Sequence, residues 1–232
     1  MKLSIIIPVY NEEKTILKII NKILKLKHIN KELIVVNDGS TDNSKKLLNK
    51  FSNKKIRIIN HTKNLGKGAA IKSAQKHIKG THVIIQDADL EYEPNDYKNL
   101  LRPFKKKYIS VVYGSRVLKK KRYKLKSFSS FDRIFYNHIL TILSNIINGQ
   151  RLTDAHTCYK VFKSDIFRSI ILEENGFAFC PEITTKISNL DINIHEVPIS
   201  YRGRSYSEGK KITYFDGIEA IYALFKYKFI RN

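Results

Sequence analysis

The first half of the chain alternates short apolar runs with stretches whose apolar residues recur at helical spacing. LSIIIPV, from Leu3 to Val9, is an unbroken apolar run of strand length. Over residues 12–27, Ile16, Ile19, Ile20, Ile23 and Leu24 return every three or four positions, which predicts an amphipathic helix. A second strand over 32–37 ends in DGSTD, where Ser40 or Thr41 can cap a helix continuing through Leu47 and Leu48. A third, Ile56–Asn60, precedes NLGKGAA and a helix reaching about Lys79. A fourth over 82–86 opens into DADLEYEP, with Pro94 placed to start the next helix, and 108–114 supplies a fifth.

This rhythm predicts an α/β domain built on an open, mainly parallel sheet covered by helices on both faces. Such sheets take ligands at the carboxyl ends of their strands. Polar residues gather there: Asn11 and Glu12, Asp38, Asp87 and Asp89, and Arg116.

The second half changes character. A basic loop, KKKRYKLK over 119–126, leads to an amphipathic helix over 129–147. DAHTCYKVF, a helix over 164–172 and a helix containing PEITTKISNL follow. A short strand over 194–198 precedes the basic YRGRSYSEGKK. Residues 214–230 are amphipathic and dense in Tyr, Phe and Lys, suited to a final packed helix or to a membrane surface. The expected division is a catalytic domain over 1–212 and an amphipathic extension over 213–232.

Composition changes this picture in three ways. No apolar run approaches the roughly 18 to 20 residues that cross a bilayer, so no transmembrane helix is expected, and the opening segment reads as a buried strand rather than a signal peptide. The 43 Lys and Arg against 21 Asp and Glu leave a formal charge of +22. Solubility needs far less, so part of the excess is composition drift and part points to a polyanionic surface: nucleic acid, anionic lipid or phosphorylated substrate. Cys158 and Cys180 have no close-spaced metal pattern and suggest free thiols in a reducing compartment.

The strongest local chemistry is Asp87-Ala88-Asp89, two carboxylates one residue apart where a strand opens into a loop. Both can approach one hard divalent cation, and Glu91 continues the spacing; a solvated, helix-capping loop is the plainer alternative. The first strand lacks a GxGxxG turn and the GKG at Gly66 to Gly68 is no Walker A loop, though it can bring Lys67 and backbone N–H groups to a phosphate. His156 and Cys158 lack a third ligand and read as packing or acceptor contacts.

IIPVYNE at 6–12, VNDGSTD at 36–42, NLGKGAA at 64–70 and QDADLEYEP at 86–94 resemble the family-2 glycosyltransferases. GSR at 114–116, TDAHTCYKVF at 153–162 and YRGRSYSEGKKI at 201–212 narrow the resemblance to the dolichyl- and polyprenyl-phosphate mannose and glucose synthase group. The resemblance implies a GT-A type fold. It places Pro8, Tyr10, Glu12 and Asp38 around the nucleoside, with Asp38 toward the base. It gives Asp87, Asp89 and Glu91 to Mg²⁺ or Mn²⁺ on the donor diphosphate, although Glu91 stands where that group often has Gln. Arg116 and Arg133 would meet the acceptor phosphate or the donor's developing charge, and Arg202 and Lys210 would fold over the diphosphate.

The expected reaction is inverting transfer of a hexose from UDP-glucose or GDP-mannose, glucose slightly favoured, to a polyprenyl phosphate. A phosphate acceptor needs little proton removal, so the protein positions reactants and stabilises the leaving group. The alternative is a hydroxyl of a glycolipid, diacylglycerol or growing saccharide, for which Asp154 is the candidate base, or else a structural anchor. The expected location is peripheral, at the cytoplasmic face of an anionic membrane, serving the cell envelope. Two other classes compete with this reading. A nucleic-acid module would explain the charge, but no helix-turn-helix, zinc-finger or aromatic RNA-binding motif is visible and no nucleic-acid partner is expected. A non-catalytic binding protein sits poorly with a full set of donor motifs.

Overall fold

The computed structural model describes residues 1–51, 56–118, 131–204 and 214–230, with the side chains of 131–133 and 214 excepted. The basic loop at 119–126 and Lys210 lie outside the described residues. In chain order the elements are β1 (Leu3–Val9), α1 (Ile16–Leu24), β2 (Lys31–Asn37), α2 (Ser44–Leu48), β3 (Ile56–Asn60), α3 (Lys67–Gln75), β4 (His82–Ile85), α4 (Tyr97–Leu101) and β5 (Val111–Ser115). They continue with α5 (Phe131–Asn148), β6 (Lys160–Lys163), α6 (Ser164–Ser169), α7 (Phe179–Asn189), β7 (His195–Pro198) and α8 (Tyr214–Phe229).

One sheet takes all seven strands in the order β3-β2-β1-β4-β6-β5-β7. β1 to β4 are mutually parallel, and β6 alone runs against its neighbours β4 and β5. The expected open, mainly parallel α/β sheet is what forms. Ile5, Ile6, Ile7, Val35, Val36, Ile84 and Ile85 are buried because a strand covered on both faces needs apolar residues at successive positions, not alternate ones. Ile16, Ile19, Ile20 and Ile23 bury the predicted stripe of α1.

β6 is an addition to the sequence reading. Its segment, KVFK, is short and begins with a lysine, yet Lys160 is fully buried. The Lys160 ammonium donates to the carbonyls of Ala155 and Thr157 and lies 4.4 Å from the centre of the Tyr113 ring, so burial is compensated locally.

Two helix boundaries differ from expectation, for one reason. The segment before α1 turns inward against the loop before α2: Asn11 sits at φ 51°, its amide donates to Ser40 Oγ at 3.1 Å, and its Oδ1 accepts from Thr41 N at 2.8 Å. Glu13 N donates to Asp42 Oδ2 at 3.0 Å. Helix α1 therefore starts at Ile16 rather than near residue 12, and Ser40 is occupied by Asn11 instead of capping α2, whose first amide is taken by Asp42 Oδ1 at 2.9 Å.

Helix α8 packs against α5 and α7 through Ala220, Ala223, Leu224 and Tyr227. Its other side exposes Ile218, Tyr222, Phe225 and Phe229, and α5 exposes Phe135, Ile139, Ile142 and Ile146. Among the described residues no helix is long and apolar enough to cross a membrane.

Candidate functional site

At the carboxyl ends of β1, β2 and β4 lies a cavity of about 320 Å³. Pro8, Tyr10, Glu12, Asp38, Lys67, Asp87, Asp89, Glu91 and Arg116 all line it. Residues scattered over more than a hundred positions meet there because each lies at the end of a parallel strand or in the connection that follows one, Lys67 at the start of α3 after β3.

Asp87 and Asp89 leave the end of β4. Asp87 is ion-paired with Lys67, whose ammonium also sits 5.9 Å from the Phe177 and Phe179 ring centres. Burial alone would lower the Lys67 pKa, but the Asp87 carboxylate outweighs it and the ammonium is held above its ordinary value. Burial would likewise raise Asp87, yet Lys67 keeps it below the usual carboxylate range. Asp89 fares differently: burial first, then the charges of Asp87 and Glu91, push its pKa up to about 7. The site thus concentrates negative charge faster than its own cations neutralise it.

Glu91 is turned to structural work. Its Oε2 accepts from the Tyr201 hydroxyl at 2.8 Å and its Oε1 from the amide of Arg204 at 2.8 Å, so it pins the segment after β7. Among the described residues no three His, Cys, Asp or Glu side chains gather as a metal site. The paired carboxylates of Asp87 and Asp89 nonetheless suit a hard divalent cation, since like charges this close are relieved by one.

The turn carrying Lys67 is built by Asp38. Its Oδ2 accepts from Gly66 N at 2.8 Å, and its Oδ1 from Leu65 N at 3.0 Å, with His61 Nδ1 at 2.7 Å. Gly66 has φ 101°, and a Cβ there would fall 2.4 Å from the Asn175 carbonyl oxygen. Of the turn's amides, Gly66 N is taken by Asp38 and Ala69 N by Asn175 O at 3.1 Å. It is Lys67 that faces the cavity.

On the opposite wall, Arg116 leaves the end of β5 and is 7% exposed. Its Nε and Nη2 donate to the two oxygens of Asp154 at 2.7 Å each, and its backbone amide adds a third bond at 3.0 Å. Burial would raise the Asp154 pKa, but Arg116 holds the carboxyl below its usual range. Asp154 is itself fixed by Glu196 of β7, which accepts from Asp154 N at 3.0 Å and Thr153 N at 2.7 Å.

The segment after β7 corrects one expectation by placement. Tyr201 turns in to Glu91, so Arg202 is exposed and outside the cavity, while Arg204 lines it. An extended segment alternates its side chains, and YRGR does not by itself say which arginine is inward. Arg133 lies in the first turn of α5, and its side chain is not described. Glu196, Tyr92 and Tyr201 are site or supporting residues that no motif marks out, and Arg204, legible only as part of a basic segment that could equally be a solvated face, lines the cavity in place of Arg202. His156 also lines the cavity; its Nε2 is buried without a hydrogen-bond partner, and burial pushes its pKa down to about 4. Cys158 is a buried free thiol whose pKa burial and Asp87 push up, which keeps it protonated.

Comparison with known proteins gives a consistent result. The profile described as glycosyl transferase family 2 matches residues 4–171. A dolichyl-phosphate beta-glucosyltransferase of Trichomonas vaginalis is 30% identical over 217 residues, covering 86% of this chain and 65% of the relative. A dolichol-phosphate mannosyltransferase of Pyrococcus furiosus is 26% identical over 233 residues, covering 98% of this chain and 65% of the relative. The chain thus spans slightly under two thirds of the length of these two relatives. In fold it is similar to glucosyl-3-phosphoglycerate synthase from Mycobacterium tuberculosis, solved with Mn²⁺, UDP and glucosyl-3-phosphoglycerate: TM-score 0.74, 19% identity, covering 100% of this chain and 81% of that one.

Proposed function

The chain belongs to glycosyl transferase family 2, and on that premise we propose that it moves a hexose from a nucleoside-diphosphate sugar to a phosphate-bearing acceptor, a polyprenyl phosphate. The observation that carries the reading is the pairing of Asp87 and Asp89 in a cavity that also holds Lys67, Arg204 and Arg116. Such a constellation suits a diphosphate and its counter-ion better than a neutral ligand.

Pro8, Tyr10, Glu12 and Asp38 border the nucleoside, with Asp38 acting through the turn it holds. Asp87 and Asp89 would bind Mg²⁺ or Mn²⁺, which neutralises the diphosphate as it departs. Lys67 and Arg204 supply further positive charge to that leaving group. The acceptor oxygen forms its bond to the anomeric carbon as the bond to the diphosphate breaks, so an α-linked donor gives a β-linked product. Arg116, stacked 5.0 Å from the Tyr201 ring centre and fixed by Asp154, orients the anionic acceptor. Asp154 accepts three hydrogen bonds from Arg116 and is better suited to positioning that arginine than to removing a proton. An acceptor phosphate requires no such base.

Support for a lipid-linked acceptor comes from the two relatives named for dolichyl or dolichol phosphate and from the exposed apolar faces of α5 and α8. On this reading residues 1–212 form the catalytic domain, residues 213–232 help seat it on an anionic membrane at the cytoplasmic face, and UDP-glucose is favoured over GDP-mannose. The second reading is transfer to a hydroxyl of a glycolipid, diacylglycerol or saccharide with Asp154 as base. It is supported by the mycobacterial synthase, whose complex contains glucosyl-3-phosphoglycerate. The Arg116–Asp154 pair would have to open for it.

The test is a donor-by-acceptor assay with Mg²⁺ or Mn²⁺, using UDP-glucose and GDP-mannose against a short polyprenyl phosphate, a diacylglycerol and 3-phosphoglycerate. Sugar on the polyprenyl phosphate supports the reading and names the donor. Sugar on either hydroxyl acceptor alone replaces it with the second reading, and no turnover on any combination argues for a non-catalytic binding protein.

A further inference from the structure

Arg204 occupies an unusual position. Its Nη2 lies 3.0 Å from Asp89 Oδ2 and 3.3 Å from Glu12 Oε1, and its Nη1 lies 3.3 Å from Glu12 Oε2. Its Nε is 3.7 Å from Glu91 Oε1, the oxygen that also accepts its backbone amide. One guanidinium therefore serves three carboxylates from two strand-end loops, and on Asp89 it holds Oδ2, the oxygen that the Glu91 amide leaves open.

We infer that Arg204 is a resident counter-cation that competes with the divalent metal for Asp89, so that metal alone binds weakly and binds tightly only when the donor's diphosphate draws Arg204 away. The inference rests on the metal site proposed above. A divalent ion at Asp89 and the guanidinium already there would repel each other at contact distance, so each weakens the other's hold on the carboxylate. The exchange needs only side-chain rotation. The backbone stays pinned by Arg204 N to Glu91 Oε1 at 2.8 Å and Arg202 N to Glu91 O at 2.9 Å, while the guanidinium is reached by solvent at 19% relative exposure. Lys67 is a poorer candidate for the exchange, being packed against Phe177 and Phe179 on the Asp87 side.

The role separates Arg204 from a residue that merely holds the fold. A structural arginine, when removed, loosens the carboxylates and weakens every ligand. A competitor, when removed, strengthens the metal. The experiment is Mn²⁺ binding to the whole chain, followed by the loss of the free Mn²⁺ resonance, with and without UDP. Arg204→Gln should tighten Mn²⁺ binding without UDP by about tenfold or more, the scale on which a charge at this distance shifts proton affinity. With saturating UDP the advantage should disappear or reverse. Arg204→Lys, which keeps the charge but loses the fork, should lie between the two and covers the case in which the Gln variant does not fold. Unchanged or weaker Mn²⁺ binding by a folded Arg204→Gln protein overturns the inference while leaving the metal site standing. Failure of the wild-type protein to bind Mn²⁺ even with UDP overturns the metal site and the inference together.

Discussion

Asp154 grips Arg116 through both carboxylate oxygens, with two side-chain hydrogen bonds of 2.7 Å. Both groups are buried, and the pair bridges the end of β5 to the loop before β6. Replacing Asp154 by Asn leaves a buried guanidinium without its counter-charge, a change that typically costs about 3 to 5 kcal/mol. Urea denaturation of Asp154→Asn should show a loss on that scale. A loss below about 1 kcal/mol, in the range of exposed pairs, would contradict the buried pairing.

The same pair sets an acid limit. Arg116 keeps the Asp154 pKa below its unfolded value of about 3.9. Its contribution is therefore fully present above that unfolded value and is lost as pH falls through the folded one. The stability gap between wild type and Asp154→Asn should be constant from about pH 7 to 5 and should close below about pH 4. A gap that persists unchanged into strong acid would argue that geometry, not charge, is what Asn disrupts.

Asp89→Ala should leave the fold intact, since among the described residues the side chain bonds only to the Glu91 amide and to Arg204, and should reduce kcat by about a hundredfold or more. Turnover titrated with Mn²⁺ decides it. Normal turnover at every metal concentration would remove Asp89 from the reaction.

Gly66→Ala places a Cβ 2.4 Å from the Asn175 carbonyl oxygen at a φ of 101°. Strain of about 1 to 3 kcal/mol is expected, with Lys67 displaced from the cavity as the turn shifts. Thermal unfolding together with donor affinity tests this: both should fall, and a wild-type melting temperature would show that the turn relaxes freely.

Phe225 on α8 and Ile142 on α5 are large apolar side chains left exposed. Replacing both by Ser should lower co-sedimentation with anionic vesicles severalfold at moderate salt while leaving Mn²⁺ and UDP binding unchanged. Equal co-sedimentation would move any membrane contact away from these helices.

Much of the fold was legible because it rests on local patterns. The apolar runs of β1 to β5 and the stripe of α1 state their own periodicity, and the polar residues at strand ends fall into one cavity once the strands run parallel. β6 was not legible: a four-residue strand opening on a lysine gives no apolar signal, and Lys160 is tolerable there only because two carbonyls and the Tyr113 ring surround it. The start of α1 was not legible for a related reason, since Asn11 and Glu13 are held by residues 40–43, contacts that helical spacing does not show.

What the sequence by itself determined is the order of strands and helices, the family, and which acidic and basic residues stand at the strand ends, because periodicity and motif spacing are properties of neighbours along the chain. Only the tertiary structure decided the partners. That Asp154 holds Arg116, that Glu91 pins the segment after β7, and that Arg204 rather than Arg202 reaches Asp89 and Glu12 depend on contacts between residues as much as 192 positions apart. Charge pairing is set by distance in space and by burial, and neither is written in the spacing of a sequence.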